Sequence, residues 1–523
     1  MRITQLGLTN FRAFKTTQTL NFAPLTLLFG ANSVGKSSVL LALFYLQEIL
    51  TQGDCSPKRI KALGSKYVGG FSSLVHGKAL DNAIVLNVRY DKPTSESGSS
   101  YQQTAQFIEE LLGQRHASQS AYLTISSPSE WANSVNIELE IRWHASSQSA
   151  YVARYSVWAD DLFIAEAVSD EPQQHAVVHL INYQHPLLLS DTETANNVSH
   201  GQVFQQWLLE AGTSTPQTVS CPYTHHEYQH TLFEFESRCG ALPKLGAALS
   251  TSLEADSPLN TARLNEVLSD LFVAPLDNLA KLLNDSLSIG PLRRIPDRYY
   301  GSDDYIQQMD WYSGEASWDA IQHADDRLIS ECNHWLGDEH LALGMALVKK
   351  HPSDQERFSL NGQPLAAPSL PSTDKVVLWD VHHHIEVTPA DVGAGVAQIF
   401  PLVIAATQPR KGMVCCEQPE LHVHPKVQVA IGDLLTQCQA GNQFLIETHS
   451  EHLVLRLLRR IRESEQQQLP SGYTPLTPAD ISLLYLESSD EGTQVINTQI
   501  TDDGDLANDW PNGFFEERDE ELF

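Results

Sequence analysis

The sequence predicts an α/β protein built on a largely parallel sheet and interrupted by a long insertion of antiparallel strands followed by helices. Three observations predict it. The apolar run "LTLLFG" passes through a glycine-containing turn into the helically spaced "KSSVLLALFYLQEIL". Near the other end the same order recurs twice, as "GMVCCEQ" before "PKVQVAIGDLLTQCQ" and as "QFLIETHS" before "EHLVLRLLRRIRESEQQQ". Between these ends, "AIVLNVRYD", "VNIELEIRWHA", "YVARYSVWADDLFIAEAV" and "AVVHLINY" have the pattern of antiparallel strands.

Taken in order, "ITQLGLTNF" and "TQTLNF" are strand-like runs ahead of the first strand–turn–helix unit. The polar, low-complexity "PTSESGSSYQQT" reads as a loop inside the insertion. Helical spacing takes over from roughly 259 to 286 and from roughly 315 to 337. "ISLLYLES" and "TQVINTQI" close the series of strands. With no tandem repeat and no sustained heptads, a long coiled coil is not expected. The expected division is an N-terminal lobe over 1–94, an insertion over 95–374 and a C-terminal lobe over 375–523.

Bulk composition narrows the class. The 523 residues, 42% hydrophobic and 19% charged, suit two or three domains or one domain with a large insertion. No 18-residue apolar run is present, so no membrane span is expected. The first residues show no secretory pattern. The seven cysteines are scattered and never spaced C-x-x-C, which argues against a disulfide framework and a zinc ribbon. A reducing, cytoplasmic location is the expectation. Thirty-four basic against 64 acidic residues give a net charge of −30, which repels bare nucleic acid over most of the surface. Contact with nucleic acid therefore needs a local basic patch or a partner. "RLLRRIR" offers one, with Arg456, Arg459, Arg460 and Arg462 around about one and a half helical turns.

The strongest motif runs from Gly30 to Ser38, where "GANSVGKS" fits G-x-x-x-x-G-K-[ST] completely. Gly30 and Gly35 let backbone N–H groups turn inward around phosphate oxygens, and the following helix adds partial positive charge at its N-terminus. Asn32, Ser33 and Ser38 share the loop, Lys36 is placed to reach the β- and γ-phosphates, and the Ser37 hydroxyl is placed to ligate Mg²⁺. The metal needs an acid at the end of another buried strand, and Glu417 directly follows Met413 to Cys416. The cofactors expected are therefore ATP and Mg²⁺, the metal resting on Ser37 and Glu417.

"NFRAF", "FGANSVGKSS", "DVGAGVAQIFPLV", "EQPELHVHP" and "ETHSEHLVLRLLRRI" together resemble the ABC-type ATPase heads of the SMC, RecF and overcoming-lysogenization-defect group. The likeness is greatest to stand-alone bacterial ATPases that end in a "DDGDLANDWPNGFF"-type segment, and it extends to the Septu ATPase PtuA of anti-phage defence, which also occurs with retrons. It covers about residues 1–90, "GPLRRIPDRYY" and 385–515, while the insertion core matches nothing specific.

The resemblance implies an ABC-type head split in sequence, with one nucleotide sandwiched between two subunits. "DVGAGVAQ" is similar to the signature segment, so Gly393 and Gly395 would offer backbone N–H groups to the other subunit's γ-phosphate. His449 occupies the position of the histidine that senses the γ-phosphate, and Arg12 that of a residue packing on adenine or phosphate. Gln418 stands where such heads usually carry a water-activating glutamate, and an amide cannot accept that proton. Glu420 is the nearby carboxylate that would substitute, and turnover is expected to be slow. The implied function is an ATP-driven switch in anti-phage defence, forming homodimers or higher oligomers, with an HNH-type nuclease or a retron reverse transcriptase as partner. A RecF- or SMC-like repair ATPase and a non-hydrolysing scaffold are the alternatives. The histidines of "LHVHP", "HHEYQH" and "HHH" form no recognisable metal-ligand set.

Overall fold

In a computed structural model, the protein is described at residues 1–93, 98–101, 128–172, 175–188, 200–224, 226–256, 258–295, 307–350, 359–360, 363–364, 375–438, 441–508 and 510. The polar run at 93–104 and the acidic end at 514–523 lie largely or wholly outside these residues.

The fold is α/β, and its centre is a six-stranded sheet. The strand order is Leu287–Ile289, Met413–Glu417, Gln443–Glu447, Leu25–Gly30, Ile481–Ser489 and Gly492–Thr498. The first five strands run parallel and the last turns back as a hairpin. Every residue of Leu25–Gly30, Met413–Glu417 and Gln443–Glu447 is buried, which is why these strands read as continuous apolar runs. Their side chains still alternate between two cores. Leu28, Cys415 and Leu445 face one, and Leu27, Phe29, Val414, Cys416 and Ile446 face the other.

The first core lies toward a nine-stranded, wholly antiparallel sheet. Its order is Leu242–Pro243, Phe233–Cys239, His175–Ile181, Leu162–Val168, Ser149–Ala159, Ser134–His144, Ile84–Asp91, Arg2–Thr9 and Gln18–Asn21. The opening strands of the chain thus belong to this second sheet, not to the parallel one. Helix Lys36–Gln52 packs into the same core with Val39, Leu43, Phe44, Leu46 and Leu50 buried, and Gly53 in left-handed conformation ends it. The other core is covered by helices Ala394–Thr407, Pro425–Gln437 and Glu451–Glu465.

The span 95–374 is not a body apart from the parallel sheet. Leu287–Ile289 pairs with Val414–Cys416 as its edge strand, and Trp311, Trp318 and Trp335 enter the helix-covered core. Three residues are too short a run to betray a strand by periodicity, so the sequence pattern passes over it. Among the described residues no helix is long and apolar enough to cross a membrane.

Candidate nucleotide-binding site

The ends of three parallel strands and one turn build the site. Leu25–Gly30 delivers the loop, whose geometry explains its glycines. At Gly30 φ is +137°, and a Cβ there would lie 2.2 Å from the Leu486 carbonyl oxygen. Gly35 has φ +108° and abuts Ala13 of the "NFRAF" turn, at 3.2 Å for an added Cβ. Ser33 is also left-handed, at φ +65°. Asn32 and Ser33 are exposed at the tip, and the Ser38 N–H closes the first helical turn on the Gly35 carbonyl at 2.9 Å. The Lys36 ammonium donates to the carbonyls of Gly30 and Ala31, both at 2.9 Å, and so curls back over its own loop. Burial pushes its pKa down, while Glu447 and Glu420 pull it up.

Arg12 sits in the turn beside this loop with φ +53°. Its N–H bonds the Leu74 carbonyl at 2.7 Å, and its own carbonyl receives the His76 Nδ1 at 2.8 Å. The Arg12 Nε is buried with no hydrogen-bond partner, and burial lowers the guanidinium pKa. An orphaned cationic donor next to a phosphate-type loop fits an anionic ligand.

Glu417 and Glu447 end adjacent parallel strands as register partners. The Ser37 hydroxyl donates to Glu447 at 2.9 Å, not to Glu417, the acid that strand order had matched with it. Glu417 instead accepts the Tyr312 hydroxyl at 3.3 Å. Burial, followed by repulsion from Glu417, raises the Glu447 pKa, with Ser37 and Lys36 opposing. Burial and then Glu417 raise that of Tyr312. Hydroxyl and carboxylate oxygens are the hard donors that Mg²⁺ takes, so the residues present fit that ion.

Gln418 follows with φ +46°. Its N–H bonds the Glu447 carbonyl at 2.7 Å, and its carbonyl accepts from Arg293 at 3.3 Å. Glu420 is the carboxylate expected to stand in for a base, but it is already engaged. It accepts the Thr448 hydroxyl at 2.9 Å and the His449 N–H at 2.6 Å, so it fixes the turn that carries His449. Burial raises its pKa. Burial, with the nearby Lys36 charge, lowers that of His449.

The structure therefore brings together Arg12, Gly30–Ser38, Glu417, Gln418, Glu420 and His449. Gly393 and Gly395 stand elsewhere, at the start of helix Ala394–Thr407. Gly393 is exposed, and an added Cβ would meet nothing within 4 Å, whereas Gly395 lies against the His422 carbonyl. No hydrogen bond among the described residues ties either glycine to the loop of its own chain.

Sequence reasoning missed three residues. Glu447 is legible in "LIETHS" as a second strand-end acid beside the more conspicuous His449. Arg293, in "GPLRRIP", is buried and donates to the carbonyls of Glu417 at 2.7 Å and Gln418 at 3.3 Å, and to the Cys416 sulfur at 3.2 Å. Its own carbonyl receives the Gln398 amide of helix Ala394–Thr407 at 2.9 Å. Tyr312 carried no signal, because a lone tyrosine 105 residues from Glu417 has no motif to mark it.

A family model described as "AAA domain, putative AbiEii toxin, Type IV TA system" matches residues 94–456. The chain belongs to this AAA-domain family. A second model, "AAA ATPase domain", matches residues 1–136 of this AAA protein and so includes its phosphate loop. A third, "Protein of unknown function (DUF3696)", matches 476–523. No curated protein sequence matches. Among solved structures, the AAA protein is similar to an SMC head bound to the C-winged helix domain of ScpA (9% identity, 95% of this chain and 98% of that one, TM-score 0.39). It is similar also to the SMC head domain from Thermotoga maritima (7%, 96% and 100%, 0.36). A third is the Smc head domain with an extended coiled coil bound to the C-terminal domain of ScpA derived from Pyrococcus furiosus (9%, 100% and 98%, 0.37).

Of the four arginines expected to meet nucleic acid, all are bonded within the AAA protein, but only Arg460 is buried and Arg459 and Arg462 remain exposed. Arg460 is buried and binds Asp433 through two bonds of 2.7 and 2.9 Å, with its guanidinium 4.4 Å from the Tyr473 ring centroid. Arg456 shares Asp433, Arg459 pairs with Glu463, and Arg462 donates to the carbonyls of Asp503 and Gly504. Helical spacing aligned these side chains correctly, but their acidic partners come from another helix and from within the same one. His424 caps helix Pro425–Gln437 through its ring nitrogen, and no cluster of three metal-ligating residues occurs among the described residues.

Proposed function

We propose that the protein is a conformational switch that binds ATP and hydrolyses it slowly. The observation that carries this reading is the convergence of the Gly30–Ser38 loop with the ends of Met413–Glu417 and Gln443–Glu447, joined by the Ser37–Glu447 bond. The loop cradles phosphates, Lys36 leaves its own carbonyls for the γ-phosphate, and the hydroxyl and carboxylates hold Mg²⁺. His449, on a turn fixed by Glu420, reads the γ-phosphate. Slow turnover follows from an amide at Gln418 and from Glu420 being engaged.

Two copies close on the nucleotide, with the exposed helix start at Gly393 and Gly395 supplying N–H groups to the partner's γ-phosphate. Opening follows hydrolysis, and the cycle licenses a separate nuclease effector, of HNH type or acting with a retron, in anti-phage defence. The sequence resemblance supports that setting, as does the family description that names a toxin of a type IV toxin–antitoxin system. A RecF- or SMC-like repair ATPase is the second reading; of the arginines that would serve it, Arg460 is buried against Asp433, while Arg459 and Arg462 stay exposed.

The test is phosphate release by the native protein and by Lys36→Ala. The native protein should release phosphate slowly but measurably in ATP and Mg²⁺, and the variant should not. Equal background rates would leave only a nucleotide-stabilised scaffold.

A further inference from the structure

Helix Lys36–Gln52 carries the phosphate loop at its start, and its far end meets the nine-stranded sheet beside two cysteines. We propose that Cys55 and Cys239 are a peroxide-sensitive pair that closes into a reversible disulfide and clasps this helix to strand Phe233–Cys239. The clasp does not depend on nucleotide chemistry.

The backbone brings the two thiols together. At Gly53, which ends the helix, an added Cβ would lie 2.9 Å from the Arg238 Nε, so the chain leaving the helix runs against the last residues of the strand. Arg238 also donates to the Leu50 carbonyl at 3.5 Å. Tyr45, fully buried in the helix, donates its hydroxyl to the Cys55 carbonyl at 2.7 Å and so fixes the Cys55 backbone. On the other side, Gly240 is left-handed at φ +59°, and a Cβ there would lie 2.2 Å from the Val152 carbonyl oxygen. The turn after Cys239 is thereby pinned to strand Ser149–Ala159. Between these two fixed points, the Cys55 thiol hydrogen-bonds the Cys239 sulfur. Other cysteines are placed differently. Cys415 and Cys416 face opposite cores, and Cys332 is bonded to the Thr407 hydroxyl at 3.3 Å.

The two thiols are unequal. Cys55 is buried, whereas Cys239 is partly exposed. The bond from Cys55 holds the Cys239 pKa below the usual thiol range, and the same bond, with burial, raises that of Cys55. Cys239 is therefore the sulfur that ionises and meets the oxidant first. Its thiolate attacks one oxygen of hydrogen peroxide and the O–O bond breaks. The departing hydroxide takes up the proton that Cys239 had released, leaving water and a sulfenic acid. The Cys55 sulfur then attacks the Cys239 sulfur. The S–O bond breaks, hydroxide leaves with the Cys55 proton as a second water, and the disulfide remains. One peroxide is reduced as the two thiols are oxidised, and a dithiol reductant reverses the bond.

Peptide mapping of the full chain reads the bond directly. The native protein is treated with hydrogen peroxide and unfolded, its remaining thiols are alkylated, and its peptides are analysed by mass spectrometry with and without dithiothreitol. Cys55→Ser and Cys239→Ser are treated alike in the presence of dimedone, which traps sulfenic acids. The native protein should give a linked Cys55–Cys239 peptide that dithiothreitol removes. Its oxidised form should melt about 5 °C above the reduced one, because the bond closes a long loop. Cys55→Ser should carry dimedone on Cys239, and Cys239→Ser should melt alike with and without peroxide. The clasp is overturned if both native cysteines are recovered alkylated or as sulfinic acids, or if either pairs with a different cysteine. Equal melting of the oxidised and reduced native protein would overturn the fastening of helix to sheet. Dimedone on Cys55 in Cys239→Ser, with none on Cys239 in Cys55→Ser, would overturn the order of attack. Should either variant fail to fold, the native peptide map decides alone.

Discussion

Lys36 curls onto the carbonyls of Gly30 and Ala31, which keeps a cation inside the loop. Replacing it with alanine removes charge-assisted bonds to phosphate worth about 1.5–3 kcal/mol, so affinity for ATP should fall about 10- to 100-fold in a titration. His230 makes a second prediction. It is buried, accepts the Tyr183 hydroxyl at 2.7 Å, and burial lowers its pKa to about 4 from 6.5. The folded state therefore favours the neutral ring. Its contribution is complete above pH 6.5 and is lost as pH falls toward 4, by about 3 kcal/mol in order of magnitude. Urea unfolding at pH 7 and pH 4.5 should show a shallower decline for His230→Gln than for the native protein. At this scale the loop residues were legible because a motif fixes their spacing. Arg293 and Tyr312 were not, because they act through contacts 105 to 125 residues away in sequence.

Helix Glu451–Glu465 shows what is gained and lost when an element is read from its own residues. Ser450 caps it by accepting the Leu453 N–H at 3.2 Å, and its apolar stripe of Leu453, Val454, Leu457, Leu458 and Ile461 is buried, all as the spacing implies. Helical period groups its arginines on one face but does not show that Arg456 and Arg460 are partly or wholly covered while Arg459 and Arg462 stay exposed. Asp433, on helix Pro425–Gln437, takes Arg456 and Arg460. Removing that carboxylate leaves Arg460 buried without its main partner, so Asp433→Ala should cost about 3–5 kcal/mol in chemical denaturation. Arg459→Ala breaks only an exposed pair within one helix and should change stability by no more than about 0.5 kcal/mol. The same contrast explains the edge strand Leu287–Ile289, which is a strand only because Val414–Cys416 lies beside it.

Across the whole molecule, the parallel sheet was legible because its buried strands are apolar throughout and alternate with helices. The join between the two sheets was not, since nothing local shows that Arg2–Thr9 pairs with Ile84–Asp91 on one side and with Gln18–Asn21 on the other, across the other core. Closure of two copies is the behaviour to test at this scale. The native protein should shift to a dimer in light-scattering chromatography with ATP, and Gly393→Glu should stay monomeric. An acidic side chain at the exposed helix start repels the incoming phosphate yet leaves nucleotide binding to the chain's own loop intact. Leu25–Gly30 also imposes an order of events during synthesis. Both of its neighbours in the sheet, Gln443–Glu447 and Ile481–Ser489, are made more than 400 residues later. At about 5–20 residues per second, a growing chain carries the unpaired "LTLLFG" for roughly 20–80 s before either arrives. A nascent chain stalled short of residue 443 should therefore fail to retain ATP, and while it waits that segment is a natural binding target for chaperones.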